Sequence, residues 1–271
     1  MRPTESGHTE HSEDVNGLRL LCTDLAMTAA NQSALLRSEQ KHLTADVKSS
    51  QSDLVTKFDQ AAEEYIRGRL AVERPGDGVI GEEGDDVPPL NGLTWIVDPI
   101  DGTTNFVFGL PAWGCSVAVA RDSELLAGAV HIPALNETFS AAISQGATRN
   151  GSSIHATNRS SLDNALVATG FSYDARRRAD QGATAARLLP LVRDIRRSGS
   201  AAYDLCCVAA GTVDGYYEQH LSIWDIAAGV LIAREAGARV EFSPIRGQTE
   251  ISIVASTPAI FELLRSVVAL P

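Results

Sequence analysis

Ten consecutive residues, Trp95 to Thr104, read W-I-V-D-P-I-D-G-T-T and constrain what this chain can fold into more than any other stretch. Trp95, Ile96 and Val97 are apolar and β-prone, so a short buried strand should run into Asp98 and deliver carboxylates at its tip. Pro99 has no N–H for a sheet ladder and should end that strand. Asp98 and Asp101, three apart across the turn, are then close enough to share hard cations through oxygen ligands. Gly102 allows close backbone approach, and Thr103 and Thr104 open a helical turn into Asn105 and Phe106, where an anion can sit. Carboxylates for metal beside amides for phosphate is the pairing that metal-assisted phosphoryl chemistry requires. An ordinary Asx turn also fits D-x-x-D-G, so the decision falls to acids elsewhere in the chain.

Four such acids stand out, two of them adjacent. Val79-Ile80-Gly81 reads as a brief strand ending in Glu82-Glu83, adjacent carboxylates that repel unless a cation or water separates them. The pair is either a metal ligand with its neighbour or a solvated loop. Asp225 opens a helical pattern from Ile223 to Ala236, where its simplest role is to cap the positive end of the dipole. Glu218 ends a strand-like run from Asp214, seven residues before Asp225.

The remaining pattern is mixed. Helices are expected over Leu18 to Gln40 and over Thr56 to Val72, the second capped by Thr56 after a polar connection from Lys48. An antiparallel meander should occupy Trp113 to Ala147, with a strand at Ala165 to Thr169 beyond it. The Arg176-Arg177-Arg178 run reads as a polar connection, with a helix following from Ala183 to Val192. A strand at Ile195 to Arg197 leads to Ser198-Gly199-Ser200, which should cap a helix from Ala201 to Ala210. Two strands (Ala238 to Phe242, Ile251 to Ala255) and a helix from Pro258 to Val268 complete the pattern. With no internal repeat, a polar and flexible tail at 1–16 and a single domain at 17–271 are expected.

Net charge of −11 without a basic stripe argues against nucleic acid as a partner. The four cysteines, Cys22, Cys115, Cys206 and Cys207, form no C-x-x-C pair and read as reduced thiols. Residues 1–17 lack the apolar region of a secretory signal, and no apolar run reaches the ~20 residues that span a bilayer. A cytoplasmic chain without a membrane partner is expected.

Taken together, D-P-I-D-G-T-T-N-F at 98–106 and W-D-I-A-A-G-V-L-I-A-R-E-A-G at 224–237 resemble the inositol monophosphatase family of Mg2+-dependent, lithium-sensitive phosphatases. K-S-S-Q-S-D-L-V-T-K-F-D at 48–59, G-E-E at 81–83 and S-G-S-A-A at 198–202 support the likeness, which covers nearly the whole chain beyond its first dozen residues. The resemblance implies an α/β (α+β) fold, a layered αβαβα sandwich, and a homodimer. It implies that Glu82, Asp98 and the carbonyl of Ile100 hold one Mg2+ and that Asp98, Asp101 and Asp225 hold a second. Glu82 would share a weaker third, a position left open because Gly84 stands where members usually carry Ser or Thr. Ala238, where a second glycine commonly follows, should alter only the helix end. Asp53 and Thr103 would orient or deprotonate the metal-bound water, with Glu82 counted among the catalytic groups. Gly102 and Thr103 would bind phosphate through their amides, beside Asp101 and Asp225, while Gly199, Ser200, Ala201 and Glu218 line the alcohol side. The implied substrate is a small phosphate monoester, myo-inositol monophosphate first, with fructose bisphosphate, histidinol phosphate and phosphoadenosine nucleotides as those of relatives. A silent regulator that keeps the fold is the alternative of another class; an intact set of acids speaks against it.

Overall fold

Trp95 and Val97 face one way along their strand and Ile96 the other, and all three are buried, so the strand must be covered on both sides. That requirement accounts for the layering. The computed structural model describes residues 14–39, 48–244 and 250–268, with side chains of the second helix from Lys57 onward. Helix α1 (Val15–Glu39) buries Leu18, Cys22, Leu25, Ala26, Ala29 and Ala30, a helical spacing that gives it one apolar face. Helix α2 (Lys48–Glu73) adds Ala62, Ile66 and Leu70, and both pack on Trp95, Val97, Val117 and Val119.

Those residues belong to a seven-stranded sheet in sequential order: β1 (Gly78–Gly81), β2 (Leu93–Asp101), β3 (Gly114–Arg121), β4 (Glu124–Ile132), β5 (Glu137–Ala142), β6 (Ala147–Arg149) and β7 (Ser152–Ile154). Within this sheet, among the described residues, only the β1–β2 pair is parallel. A six-residue helix, α3 (Thr103–Phe108), leaves the end of β2. The second sheet contains β8 (Leu166–Thr169), β9 (Asp194–Arg196), β10 (Gly215–Leu221), β11 (Arg239–Pro244) and β12 (Ile251–Ser256), in the order β11-β12-β10-β8-β9.

Between the sheets lie α5 (Ala201–Ala209) and α6 (Ile223–Glu235), and α6 is buried at every position from Ile226 to Ala233. A helix apolar on all sides fits only where both flanks are protein, and here Ile96, Ala118 and Val130 meet it from one sheet, Ile253 and Ala255 from the other. On the outer face of the second sheet, α4 (Ala175–Leu188) and α7 (Phe261–Val268) cover Val167, Tyr217 and Val254. Successive residues Ile253, Val254 and Ala255 thus alternate between the two layers. The result is the αβαβα sandwich expected.

Three local expectations need correction. Strand β2 does not stop at Pro99: Asp98 pairs with Ser116 and Asp101 with Gly114, so three steps on β2 match two on β3. Pro99 sits in a bulge, where a missing N–H costs no ladder bond. Helix α2 begins at Lys48 rather than Thr56, because Lys48 to Val55 is polar but contains neither Gly nor Pro, and polarity alone breaks no helix. Arg176, Arg177 and Arg178 lie in the first turn of α4, whose N-cap Asp174 accepts from the amides of Arg176 and Arg177. The tail expected at 1–16 falls outside the described residues as far as position 13.

Candidate active site

The candidate acids named from the sequence that the structure describes converge. Glu82 follows β1, Asp98 and Asp101 lie at the C-terminal end of β2, and Asp225 is in the first turn of α6. Glu218, expected at a strand end, stands in the middle of β10, which runs on to Leu221. The bulge in β2 turns Asp98 and Asp101 into one cavity of about 230 Å3, which Glu82, Glu218 and Asp225 also line. Asp98 Oδ1 accepts from the amide of Ile100 at 3.0 Å, which holds the bulge in shape. Gly102 follows at φ 90, where a Cβ would lie 3.0 Å from the carbonyl oxygen of Ala112 and 3.1 Å from that of Gly199. Conformation and space both demand glycine there. The Thr103 hydroxyl donates to the carbonyl of Ile100 at 3.2 Å, so two sequence-predicted groups face each other.

Asp101 also receives the start of α5. Its carboxylate accepts from the amides of Ala202 at 2.7 Å and Ala201 at 3.3 Å, and from the hydroxyl of Ser200. The N-cap Ser200 in turn accepts from the amide of Tyr203 at 3.1 Å. This fixes Gly199, Ser200 and Ala201 against the acid, and Gly199 and Ala201 line the cavity. Asp225 keeps the capping role read from sequence, accepting from the Ser222 amide at 2.7 Å in a capping box. The capping bond aims the carboxyl into the cavity, so capping and site roles coexist in one side chain.

Glu82 is placed by a residue the sequence reading passed over. The buried carboxylate of Glu63, on α2, accepts from the amides of Glu83 and Gly84, each at 2.9 Å, and from Arg67 Nε at 2.7 Å. A Cβ on Gly81 would come within 2.6 Å of that carboxylate, so the glycine lets helix and strand tip meet. Asp59 lies one helical turn before Glu63 and is 3% exposed, and its Oδ1 is buried with no hydrogen-bond partner among the described residues. Both acids flank the apolar stripe of Phe58, Ala62 and Ile66; acids four apart beside a buried stripe were the available signal. Asp53 falls on α2 at a position whose side chain lies outside the described residues.

The electrostatics run one way. Burial, then the charges of Glu82, Asp101, Asp225 and Asp59, push Asp98 well above the usual carboxylate range. Asp225 is raised to about 7, by burial and then Asp101, and Asp101 to about 6, by burial against the opposing pull of Ser200 and the α5 amides. Glu82 reaches solvent at the cavity rim, yet lost hydration of its carboxyl end, then Glu83 and Asp101, bring it to about 7. Asp59 is raised to about 8 by burial, Glu82 and Glu83. Carboxylates so gathered must share protons or a cation. Among the described residues no three such side chains close on one point as a formed metal shell; what the structure provides is their convergence on one cavity, with the charges of Glu82, Asp101 and Asp225 all acting on Asp98. An all-oxygen, mutually repelling donor set with an unpartnered carboxylate oxygen behind it fits a hard divalent ion.

The opposite wall comes from β10 and the loop after β8. Glu218 accepts from the Tyr216 hydroxyl at 2.7 Å and is raised to about 8, chiefly by burial. A Cβ on Gly170 would sit 2.0 Å from Glu218 Oε2, so this glycine is a steric condition for the acid's position. The loop through Ser172 and Tyr173 is held by Gln181, which accepts from the Ser172 amide at 2.8 Å, and by Arg178, which donates to the Tyr173 carbonyl at 2.6 Å. Tyr173 reaches across the cavity mouth to Thr104, hydroxyl to hydroxyl, at 2.9 Å. The arginine run therefore braces the wall. Gly170, Tyr173, Arg197 and His220 all line the cavity and carried no local motif.

Comparison with known proteins bears on the family and the fold. A family model described as the inositol monophosphatase family matches residues 19–263. Inositol-1-monophosphatase SuhB of Mycobacterium tuberculosis is 46% identical over 227 residues, covering 80% of this chain and 78% of the relative. A relative from Salmonella typhimurium named Nus factor SuhB is 38% identical over 221 residues, covering 80% of this chain and 83% of its own. Among solved structures, Mycobacterium tuberculosis SuhB superposes with a TM-score of 0.83 at 40% identity, over 94% of this chain and 96% of that one. An inositol monophosphatase from Anabaena gives 0.80 at 31% identity, over 94% and 96%.

Proposed function

The chain belongs to the inositol monophosphatase family and is a phosphoric monoester hydrolase, and from that premise we propose that it uses Mg2+ to hydrolyse a phosphate ester of a small polyol, first of all myo-inositol monophosphate. The observation that carries the reading is the meeting of Glu82, Asp98, Asp101 and Asp225, from three separated segments, in one cavity with Glu218 opposite. Glu82, Asp98 and the Ile100 carbonyl would hold one ion, and Asp98, Asp101 and Asp225 another. A third position beside Glu82 lacks a hydroxyl at Gly84 to hold its water. Bound Mg2+ supplies neutralisation of the phosphate charge and a water acidified toward neutrality.

The chain's own groups do the rest. Amides of Gly102 and Thr103 would bind the phosphate, and the Thr103 hydroxyl would relay a hydrogen bond from the attacking water to Asp53, the carboxylate that takes up the proton. Asp101, held by α5, keeps Gly199 to Ala201 against the alcohol portion. Glu218, whose pKa burial pushes up, stands opposite the acids and offers oxygens that accept hydrogen bonds from hydroxyl groups. The products are inorganic phosphate and the free polyol. A homodimer in the cytoplasm completes the reading, with light scattering and cell fractionation as its checks.

The decisive experiment measures phosphate release and kcat/KM for inositol 1-phosphate, fructose 1,6-bisphosphate, histidinol phosphate and a phosphoadenosine nucleotide, with Mg2+ or with chelator. Mg2+-dependent release, greatest on the inositol ester and inhibited by Li+, is expected. Preference for another ester reassigns the substrate, and no release above background on any of them would leave a non-catalytic regulator.

A further inference from the structure

Among the described residues, five other than glycine have positive φ. Asp122, Asn136, Ser144 and Asn150 sit in hairpin turns between strands, where this conformation is ordinary. His220, at φ 68, instead lies inside strand β10. The pairing of β10 with β12 shifts register there, Gln219 opposing Ser252 and Leu221 opposing Ile251, so His220 is the extra residue of a bulge. A bulge residue in the left-handed region is a position for glycine, and a branched-ring side chain there is held against its own preference. Strain of this kind persists where the surroundings over-determine it, and it gathers at ligand sites.

The surroundings are on the page. His220 lines the catalytic cavity and its side chain is 16% exposed. Its Nδ1 lies 2.9 Å from Glu250 Oε2, and Glu250 Oε1 accepts from Arg177 Nη1 at 2.6 Å. The carboxylate fixes the proton on Nδ1 and the orientation of the ring, leaving Nε2 as the nitrogen with no hydrogen-bond partner among the described residues. Glu218 stands two residues earlier on the same strand and lines the same cavity. The two side chains therefore offer neighbouring polar groups on the wall opposite the carboxylates.

We propose that His220 is a specificity-determining residue: its Nε2 accepts a hydrogen bond from a hydroxyl of the substrate's alcohol portion, with Glu250 and Arg177 as positioning residues behind it. The proposal rests on the hydrolase reading above and narrows it to alcohols that carry at least two hydroxyls on the side facing β10, one for Glu218 and one for His220. A phosphate ester whose alcohol has no free hydroxyl gains nothing from this wall.

His220→Gly is the informative variant, because glycine adopts the observed backbone freely and the fold is not endangered. The assay compares inositol 1-phosphate with p-nitrophenyl phosphate in wild type and variant, recording kcat, KM and Tm. The expected result is a KM for the inositol ester raised roughly tenfold, with kcat little changed, the p-nitrophenyl ester unaffected in both constants, and Tm equal or higher. His220→Asn, which tolerates the same φ and keeps an acceptor, should recover part of the lost KM. Equal responses of the two esters, or an unchanged KM for the inositol ester, would overturn the assignment while leaving the hydrolase intact. A wild type that releases phosphate from neither ester would bring down the hydrolase reading itself, and this one with it.

Discussion

Replacing Glu63 by alanine separates the anchoring of the Glu82 loop from general stability. The wild-type carboxylate is 2% exposed, pairs with Arg67 at 2.7 Å and takes the amides of Glu83 and Gly84. Breaking a buried ion pair costs about 3–5 kcal/mol at most, and each amide left unpaired adds about 1 kcal/mol where water cannot replace the acceptor. Arg67 keeps the Asp85 carbonyl at 3.0 Å and the Gly84 carbonyl at 3.2 Å, and the site borders an open cleft, so the lower end applies. A net loss near ~3 kcal/mol lowers Tm by roughly 6–12 °C in a chain of this size. The sharper consequence is local. With its two amide anchors gone, the turn that presents Glu82 loses its fixed geometry, and Mg2+ should bind roughly 10- to 100-fold more weakly, as for other groups that orient ligands. The assay is the Mg2+ concentration that half-saturates the calorimetric signal and the Tm shift, in wild type, Glu63→Gln and Glu63→Ala. Glu63→Gln keeps the shape but not the charge and should fall between the others. A Tm loss in both variants with Mg2+ half-saturation unchanged would refute the anchoring argument.

Further outcomes follow from the same cavity. Asp98, Asp101, Asp225, Glu82, Asp59 and Glu218 all have raised folded-state pKa values, Asp98 well above the usual carboxylate range and the other five at about 6 to about 8. The folded protein therefore holds more protons than the unfolded chain; without divalent ions its stability is full below the ordinary carboxylate range and is lost as pH rises through about 6 to 8. Melts at pH 5.5 and 8.5 should show Tm falling with pH in chelator and much less in Mg2+; a metal-free Tm that rises over this window contradicts the charge argument. Asp59→Asn removes one member of that cluster and should raise the metal-free Tm at pH 6 and more so at pH 8.5, with little effect below the ordinary carboxylate range, while weakening Mg2+ binding. Gly170→Ala puts a Cβ 2.0 Å from Glu218 Oε2 and must displace the acid. Its kcat/KM on the polyol ester should drop at least about tenfold, and wild-type kinetics would show that Glu218 does not need its present position. Asp98→Asn and Asp225→Asn should each remove most turnover while leaving circular dichroism unchanged, with substantial activity at saturating Mg2+ as the contrary result.

The sequence by itself determined which segments bring their acids into one cavity and in what class of fold. An apolar run ending in two spaced acids, an acid pair after a short strand, and an acid in the first turn of a wholly apolar helix are local patterns, and local patterns are what periodicity and capping rules read. Tertiary structure alone decided what holds those acids in place. The Glu63 carboxylate on the Glu83 and Gly84 amides, the α5 amides on Asp101, and the contact of Gly170 with Glu218 join residues 20 to 101 positions apart. The bulge at Pro99 and the strained His220 belong to the same class, because each depends on the register of a neighbouring strand. A residue's own neighbours in the chain fix its propensity, but its partner across a cavity is fixed only when sheets and helices have packed, and that partner decides what the side chain can do.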